Sequence, residues 1–223
     1  MIRGIIFDFD GLILDTESTV YQSWREFYQQ YGQELPFEEW GQVIGRSSNE
    51  HFDPLARLEA LLGQELDRAA GEQRLQRELE LVMLQPILPG VLDYLNAARR
   101  LGLKLAVASS SDIEWVGWHL DRLDLRRYFN VVHTSDDVTQ TKPHPELFQL
   151  ALASLGLAAT EAIVLEDSSN GVTAAKQAGI FCVAVPNALT RQLPLDHADL
   201  RLNSLAEISL ERLLQNIDRE DFK

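Results

Sequence analysis

Cysteine is almost absent from this sequence: Cys182 is the only one among 223 residues. A single cysteine excludes an intrachain disulfide and a metal site built from several cysteines. Cys182 lies within the apolar run 181–185, and this context favours a buried thiol in the core over a reactive one.

Long hydrophobic runs are missing as well. No run approaches the roughly 20 apolar residues that a membrane-spanning helix needs, and the first apolar run ends at Asp8 after a single basic residue, Arg3. This pattern predicts no signal peptide. The chain is 45% hydrophobic and 24% charged, which is typical of soluble globular proteins. We therefore expect a cytoplasmic protein without a membrane partner, and a monomer is the default expectation.

Basic residues are scarce relative to acidic ones. Lysine and arginine total 20 against 34 aspartates and glutamates, so the formal net charge at pH 7 is -14. Nucleic-acid binding needs a basic face that neutralises phosphates, so the charge argues against a nucleic-acid partner. A phosphorylated small molecule remains compatible with it, because a bound divalent cation can reverse the local sign.

Five short apolar runs predict buried strands. They are continuous rather than alternating, as expected for parallel strands that are covered on both faces. The predicted strands are residues 2–7, 104–108, 130–134, 162–165 and 181–185.

Helical patterns separate the later strands. A capping box of Ser111 and Glu114 predicts the start of one helix. Pro145 fits the N1 position of another helix, which Gly156 ends, and a further helix is predicted over residues 170–178. This alternation predicts a doubly wound α/β domain with a parallel sheet.

Residues 16–85 interrupt the alternation with four amphipathic stripes and no strand pattern. The stripes contain Val20, Trp24, Phe27, Tyr28 and Tyr31; Phe37, Trp40, Val43 and Ile44; Phe52, Leu55, Leu58, Leu61 and Leu62; and Leu75, Leu79, Val82 and Met83. We predict an α/β core of residues 1–15 and 86–223, and an all-helical cap of residues 16–85 inserted after the first strand. Helical spacing explains the aromatic residues of the cap as core packing, and the cap is well placed to act as a mobile lid.

Two carboxylates, Asp8 and Asp10, follow the first predicted strand two positions apart. In an extended backbone such residues point the same way, towards the sheet edge where open α/β folds bind ligands. Two like charges this close are costly unless a cation, a shared proton or a reaction uses them.

Polar residues also follow the later strands: Ser109 after the second, Lys142 before a helix start, and Glu166 with Asp167 after the fourth. The carboxyl ends of parallel strands share one edge, so these groups are predicted to meet Asp8 and Asp10. Carboxylates and waters around a ligand phosphate are what Mg²⁺ prefers. The combined pattern predicts a magnesium site that also binds phosphate.

These segments, in this order, resemble the haloacid dehalogenase-like superfamily of aspartyl-phosphate enzymes over essentially the whole chain. The matching segments are Asp8-Phe9-Asp10-Gly11, Ser109, Lys142-Pro143 and Glu166-Asp167. Residues 12–17 and 166–171 are most similar to the β-phosphoglucomutase and sugar-phosphate phosphatase branch. The resemblance implies a doubly wound, Rossmann-like core with a helical cap.

The resemblance also implies roles for the acidic residues. Asp8 would attack phosphorus and form an aspartyl-phosphate, while Asp10 would protonate the leaving oxygen and later deprotonate water. Mg²⁺ would be held by a carboxylate oxygen of Asp8, the backbone carbonyl of Asp10, and Asp167, with Glu166 supporting through water. Dehalogenation is disfavoured, because the dehalogenases have no acid–base aspartate where Asp10 stands.

The remaining implied roles concern phosphate and substrate. Lys142 would offset charge between the nucleophile and the phosphoryl group, and Ser109, with backbone N–H groups near Asp10 and Ser110, would hold the phosphoryl oxygens. The candidates for contact with the rest of the substrate are Thr16, Glu17, Arg46, Ser47 and Asn49.

The resemblance implies that phosphatases and mutases differ in residues of the cap. The resemblance places a histidine of the glucose-phosphate mutases at Val20 and their phosphate-binding arginine at Ser48. Arg46 could replace that arginine or lie on the surface, and the sequence leaves both open. We predict a Mg²⁺-dependent phosphatase for a small phosphorylated metabolite, with a sugar phosphate favoured. The alternatives are a β-phosphoglucomutase-like isomerase and, less favoured, a non-catalytic binding protein.

Overall fold

The computed structural model describes residues 1–46 and 52–218, and its centre is a six-stranded parallel sheet. The strand order is β3-β2-β1-β4-β5-β6. The strands are β1 (Gly4–Phe7), β2 (Lys104–Ala108), β3 (Val131–His133), β4 (Ala162–Glu166), β5 (Phe181–Ala184) and β6 (Leu200–Arg201). The five predicted strands are present. The two-residue β6 was missed because it is too short to give an apolar run and contains an exposed arginine.

Helices connect and cover the strands. They are α1 (Thr16–Gln30), α2 (Phe37–Trp40), α3 (Pro54–Leu62), α4 (Arg68–Met83), α5 (Val91–Leu101), α6 (Ile113–Arg122), α7 (Glu146–Leu155), α8 (Ser169–Gln177) and α9 (Leu210–Asp218). Within the described residues, none of them is long and apolar enough to cross a membrane.

Strand β1 lies between β2 and β4, with Ile5 in register with Leu105 and Ile163. Its side chains enter two different hydrophobic clusters. Ile5 and Phe7 pack with residues of α5, α6 and α9, and Ile6 packs with residues of α7 and α8. Both faces of the sheet are therefore covered, which explains the continuous apolar runs and confirms the predicted doubly wound α/β class.

Two predicted helix starts need correction. The cap of α6 is Asp112, whose Oδ1 accepts a hydrogen bond from the Trp115 backbone N–H at 2.8 Å. The capping box assigned to Ser111 is therefore wrong, because the Ser111 hydroxyl donates elsewhere, as described below. Pro145 lies one residue before the first helical residue of α7 and not at its N1 position.

Helices α1 to α4 follow one another between β1 and β2, and the described part of this segment contains no strand. They have a hydrophobic cluster of their own that buries Phe27, Tyr28 and Trp40, with Trp24 packed against it. Such a cluster is what the predicted cap requires, and the exact division into core and cap stays a prediction. Three members of the predicted α4 stripe are exposed instead: Leu75 by 52%, Leu79 by 42% and Met83 by 47%.

The two chain segments that join this helical part to the sheet lie side by side. Leu14 makes one isolated β-bridge with Asp10 and another with Ile87, and the backbone N–H of Leu88 donates to Ile13 at 3.0 Å. Both connections therefore pass next to Asp10, at the carboxyl edge of the sheet.

Candidate active site

The ends of β1 and β4 form the centre of the candidate site. The strand order reverses between these neighbours, since β1 continues to β2 on one side and β4 to β5 on the other. Ligands of open α/β sheets bind in the crevice beyond the carboxyl ends of the strands at such a point. Asp8 follows β1, Glu166 ends β4 and Asp167 comes next, and all three are at most 3% exposed.

Lys142 links the two strand ends. Its Nζ donates to Asp8 Oδ1 at 2.7 Å and to Glu166 Oε1 at 2.6 Å, and its side chain is 1% exposed. Burial by itself would lower the pKa of Lys142, but the two carboxylates outweigh it and hold the pKa above its ordinary value. The lysine therefore remains a buried positive charge beside Asp8.

Asp8, Glu166 and Asp167 form a compact carboxylate cluster. One oxygen from each lies within 4.8 Å of the others. Burial, followed by repulsion from Glu166, raises the pKa of Asp8 to about 8. Burial, followed by repulsion from Glu166 and Asp8, also raises the pKa of Asp167 well above its ordinary value. One lysine cannot balance three buried carboxylates in their ionised form, and the raised pKa values express this imbalance: without a cation the cluster tends to hold protons instead.

A hard divalent cation fits this cluster. Asp167 Oδ1 is buried and has no hydrogen-bond donor among the described residues. Carboxylate oxygens are the donors that Mg²⁺ and similar ions take, and a bound cation would bring the raised carboxylate pKa values down again. Asp8 and Asp167 therefore offer free oxygen capacity, whereas Glu166 is largely occupied by hydrogen bonds: its Oε2 accepts from the backbone N–H and hydroxyl of Ser168 at 2.9 and 3.0 Å.

Two glycines beside the cluster have no room for a Cβ atom. Gly11 has a φ of +75°, and a Cβ there would lie 2.1 Å from Asp167 Oδ2. A Cβ on Gly171 in α8 would lie 1.8 Å from Glu166 Oε1. Asn187 holds Gly11 close to Asp167, because its Nδ2 donates to Gly11 O at 3.1 Å and to Asp167 Oδ2 at 3.0 Å. Sequence reasoning missed Asn187, although its place just beyond the fifth apolar run was an available signal.

Asp10 belongs to a second set of contacts. Its Oδ1 accepts from the Thr16 hydroxyl at 2.8 Å and from the Trp115 indole N–H at 2.9 Å. Its Oδ2 accepts from the hydroxyls of Ser111 at 2.7 Å and Ser109 at 3.2 Å. Ser111 and Trp115 are not among the predicted site residues, because local patterns explain both as parts of α6.

A cavity of about 360 Å³ opens beside Asp10. Thr16, Glu17 and Ser110 line it, and the Ser110 hydroxyl is buried without a hydrogen-bond partner among the described residues. Burial, followed by the negative charges of Asp10 and Asp8, raises the pKa of Glu17 to about 8. Glu17 is therefore mostly protonated at neutral pH and can donate as well as accept.

Residues of α1, of α2 and of the turn that follows α2 close the other side of this cavity, among them Val20, Trp40, Val43 and Ile44. Arg46 is half-buried and lines both this cavity and a neighbouring one of about 490 Å³ that Lys142 also lines. A role of Arg46 in binding the substrate stays a prediction. Ser47, Ser48 and Asn49 lie outside the described residues.

The arrangement agrees with a comparison against protein families. The model of the haloacid dehalogenase-like hydrolases matches residues 5–185. The chain belongs to this family. As a haloacid dehalogenase-like hydrolase it is an enzyme, and the predicted family is confirmed.

Curated relatives of this hydrolase are named phosphatases. The Bacillus subtilis (strain 168) protein "Putative phosphatase YhcW" is 44% identical over 222 residues, which are 99% of this chain and 100% of that protein. A Thermotoga maritima "Phosphorylated carbohydrates phosphatase" is 32% identical over 182 residues, which cover 80% of this chain and 82% of that protein. Phosphatase activity on a phosphorylated substrate is supported by these names.

A solved structure supports the branch. A Thermotoga maritima protein described as a "putative beta-phosphoglucomutase" superposes with a TM-score of 0.76 at 28% identity, covering 96% of this chain and 99% of that one. The predicted similarity to β-phosphoglucomutase-like enzymes is thus confirmed at the level of fold and family. In this hydrolase the predicted site residues fall into two groups, one around Asp8 and Lys142 and one around Asp10.

Proposed function

We propose that this hydrolase is a Mg²⁺-dependent phosphatase that acts on a small phosphorylated metabolite, a sugar phosphate, through an aspartyl-phosphate. The observation that carries the proposal is the buried Lys142 beside Asp8, next to the unpartnered carboxylate oxygen of Asp167. A carboxylate can approach a phosphate dianion only where positive charge offsets their repulsion. Lys142 supplies one such charge, and a Mg²⁺ ion held by Asp8 and Asp167 would supply further positive charge.

In the first half-reaction, a carboxylate oxygen of Asp8 forms a bond to phosphorus as the bond from phosphorus to the leaving oxygen breaks. Protonated Asp10 gives its proton to that oxygen, so the alcohol departs neutral. The hydroxyls of Ser109 and Ser110 lie at the end of β2, where they can donate to phosphoryl oxygens. Aspartyl-phosphate on Asp8 and a carboxylate on Asp10 remain.

In the second half-reaction, water attacks phosphorus and the carboxylate of Asp10 takes a proton from it. The bond between phosphorus and Asp8 breaks, which releases inorganic phosphate and restores the nucleophile. Asp10 is protonated again and ready for the next substrate. One residue thus serves as acid and then as base.

The cleft supports a small polyol as the leaving group. A cavity of about 360 Å³ beside Asp10 limits the leaving group to a small molecule. Glu17, Thr16 and Asp112 line it and offer hydrogen-bonding partners for hydroxyl groups. The name of the Thermotoga maritima relative, a phosphatase of phosphorylated carbohydrates, supports the same class.

Val20 favours hydrolysis over isomerisation. It lines the cleft with an aliphatic side chain at the position where the resemblance places a histidine of the mutases. Valine can neither donate nor accept a proton there. Water is then the favoured acceptor of the phosphoryl group from Asp8.

Phosphate release from a panel of phosphorylated metabolites, with Mg²⁺ and with EDTA, tests the proposal. We expect release that needs Mg²⁺ and is fastest on one group of sugar phosphates. Asp8→Asn should lower kcat by at least about 1,000-fold, because it removes the nucleophile while the fold remains.

Two outcomes would contradict the proposal. Substantial activity in Asp8→Asn would mean that no aspartyl-phosphate forms. A coupled assay for conversion of β-glucose 1-phosphate to glucose 6-phosphate runs beside the panel, and isomerisation without phosphate release would identify a mutase. Circular dichroism of the variant serves as the control for folding.

A further inference from the structure

Trp115 holds an unexpected place beside Asp10. It lies in the first turn of α6 and lines the cleft, and its indole Nε1 donates to Asp10 Oδ1 at 2.9 Å. The proposed reaction gives this residue no role. Its contact with the proposed acid–base group is nevertheless as short as the contact from Thr16, which measures 2.8 Å.

The orientation of the indole ring is fixed from two sides. Asp112 caps the helix and accepts from the Trp115 backbone N–H at 2.8 Å, which anchors the first turn. His119, one turn later and fully buried, packs edge to face against the indole with 4.4 Å between ring centroids. The ring of His119 in turn lies against the ring of Phe9, with 5.9 Å between their centroids. Phe9 is the residue between Asp8 and Asp10. The indole N–H is therefore aimed at Asp10 by packing.

An indole N–H can only donate a hydrogen bond, whereas a hydroxyl can donate or accept. Asp10 Oδ1 accepts from the Thr16 hydroxyl and from Trp115, and because the indole can never accept, a proton on Oδ1 would have Thr16 as its single possible acceptor among these partners. Asp10 Oδ2 faces the hydroxyls of Ser109 and Ser111, which can turn round and accept. The two oxygens of Asp10 are thus chemically different.

We propose that Trp115 is a positioning residue for the acid–base chemistry of Asp10: it fixes the carboxyl group and places the transferable proton on Oδ2. The proposal rests on the proposed function, since it needs Asp10 as the acid. When substrate reacts, the O–H bond at Oδ2 breaks and its proton joins the leaving oxygen. The bond between that oxygen and phosphorus breaks while a carboxylate oxygen of Asp8 forms a bond to phosphorus. The charge left on Asp10 is stabilised by the indole N–H on Oδ1.

A pair of substrates with different leaving groups tests this role. A sugar alkoxide needs a proton to leave, whereas the 4-nitrophenolate of 4-nitrophenyl phosphate leaves without one. Trp115→Phe keeps an aromatic ring against His119 but removes the N–H. We expect kcat/KM for the best sugar phosphate of the panel to fall by about 10-fold or more. For 4-nitrophenyl phosphate it should fall less than about 3-fold.

Two further variants separate the N–H from the ring. In Trp115→Gln the amide nitrogen is as many bonds from the backbone as the indole nitrogen, so a donor is restored. We expect this variant to recover most of the sugar-phosphate activity that Trp115→Phe loses. Trp118→Phe, on the same helix and 49% exposed, is the matched control and should change neither substrate.

The outcomes also separate this proposal from the proposed function. In Asp10→Asn, kcat/KM, which reports formation of the aspartyl-phosphate, should fall far more for the sugar phosphate than for 4-nitrophenyl phosphate, while kcat should fall for both because water also needs Asp10. Equal losses of kcat/KM on the two substrates would overturn both proposals. If Asp10→Asn behaves as expected but Trp115→Phe matches the wild type, only the role of Trp115 is wrong. Equal losses of kcat/KM on both substrates, or a Trp115→Gln variant that is no more active on the sugar phosphate than Trp115→Phe, would mean that the N–H donor is not what Trp115 provides, and would also overturn it.

Discussion

His119 links the stability of this protein to pH through one buried side chain. It is fully buried among aromatic rings, including that of Trp115. Arg122 donates to its Nδ1 at 3.1 Å, so the ring must accept there and stays neutral. Burial, followed by repulsion from Arg122, lowers the pKa of His119 from 6.5 to about 4.

The sign of the effect follows from proton binding. Between pH 6.5 and pH 4 the unfolded chain takes up a proton on His119 that the folded chain does not, so the free energy of unfolding falls as pH falls. We expect His119 to contribute about 1 to 2 kcal/mol of this loss between pH 7 and pH 5. In His119→Phe that part of the loss should vanish, as measured by urea unfolding at both pH values.

The comparison uses the difference between the two pH values, so a packing cost of the phenylalanine cancels. His197 is exposed, and His197→Gln should show the same pH difference as the wild type. A His119→Phe protein with an unchanged pH difference would contradict the argument, because the buried imidazole would then not be the group that takes up the proton.

Individual site residues differ in how far the sequence could predict them. Asp8, Glu166 and Asp167 follow buried strands, and parallel strand ends must share an edge. Ser111 was assigned to a helix cap because local spacing allowed it, but the tertiary contact with Asp10 decides its position. The contact of Trp115 with Asp10 spans 105 positions along the chain and depends on how α6 docks, which no local pattern encodes.

The turn from β4 into α8 is built around the side chain of Glu166. Glu166 receives Lys142 on one oxygen and Ser168 on the other, and Gly171 of α8 presses against the same carboxylate. This short element therefore places the lysine as well as the acid. The position of the Glu166 side chain therefore depends on Gly171, a helical residue that has no side chain.

Gly171→Ala tests that dependence. A methyl group would lie 1.8 Å from Glu166 Oε1, so Glu166 must move and Lys142 with it. We expect kcat to fall by about 10-fold or more. The free energy of unfolding should fall by about 1 to 3 kcal/mol, although alanine is the better helix former. Steady-state kinetics and urea unfolding measure the two effects.

Gly71 in α4 provides a matched control. It is also a helical glycine, but a Cβ there meets nothing within 4 Å. Gly71→Ala should therefore raise the free energy of unfolding by up to about 1 kcal/mol through helix propensity and leave kcat unchanged. If both alanine variants behave alike, close packing on Glu166 is not what Gly171 provides.

Whole elements were easier to predict than their ends. The strands of the sheet interior can be predicted because both faces are covered and nearly every residue is apolar, as in β1. The edge strand β6 has two residues, one of them Arg201, and its pairing with β5 comes from tertiary position alone. The exposed apolar residues of α4 show what helical spacing cannot predict. The spacing indicates an apolar stripe along a helix, but not whether another part of the protein covers that stripe.

The molecule as a whole concentrates uncompensated charge in its core as well as on its surface. The chain has a formal net charge of -14. Three buried carboxylates at the site share one buried lysine. Without a cation, these buried acids must either stay charged beside one another or take up protons, and both lower the free energy of unfolding at neutral pH. Occupation by Mg²⁺ should therefore be visible in global stability and not only in turnover.

We expect Mg²⁺ at about 100 times its dissociation constant to stabilise the wild type by about 3 kcal/mol. For a chain of this length that corresponds to a rise in Tm of about 5 to 10 °C. Asp167→Asn removes one of the clustered charges. Its Tm in EDTA should exceed that of the wild type in EDTA, and Mg²⁺ should then raise it little.

Differential scanning calorimetry with MgCl₂, and with NaCl at the same ionic strength, separates a bound ion from general screening. Screening of the surface charge would raise the Tm of the wild type and of Asp167→Asn equally, because the variant changes the net charge by one in 14. Such an equal rise would contradict a cation at the carboxylate cluster. A rise confined to the wild type and to MgCl₂ would mean that the residues proposed to bind the metal also limit the stability of the fold until it is bound.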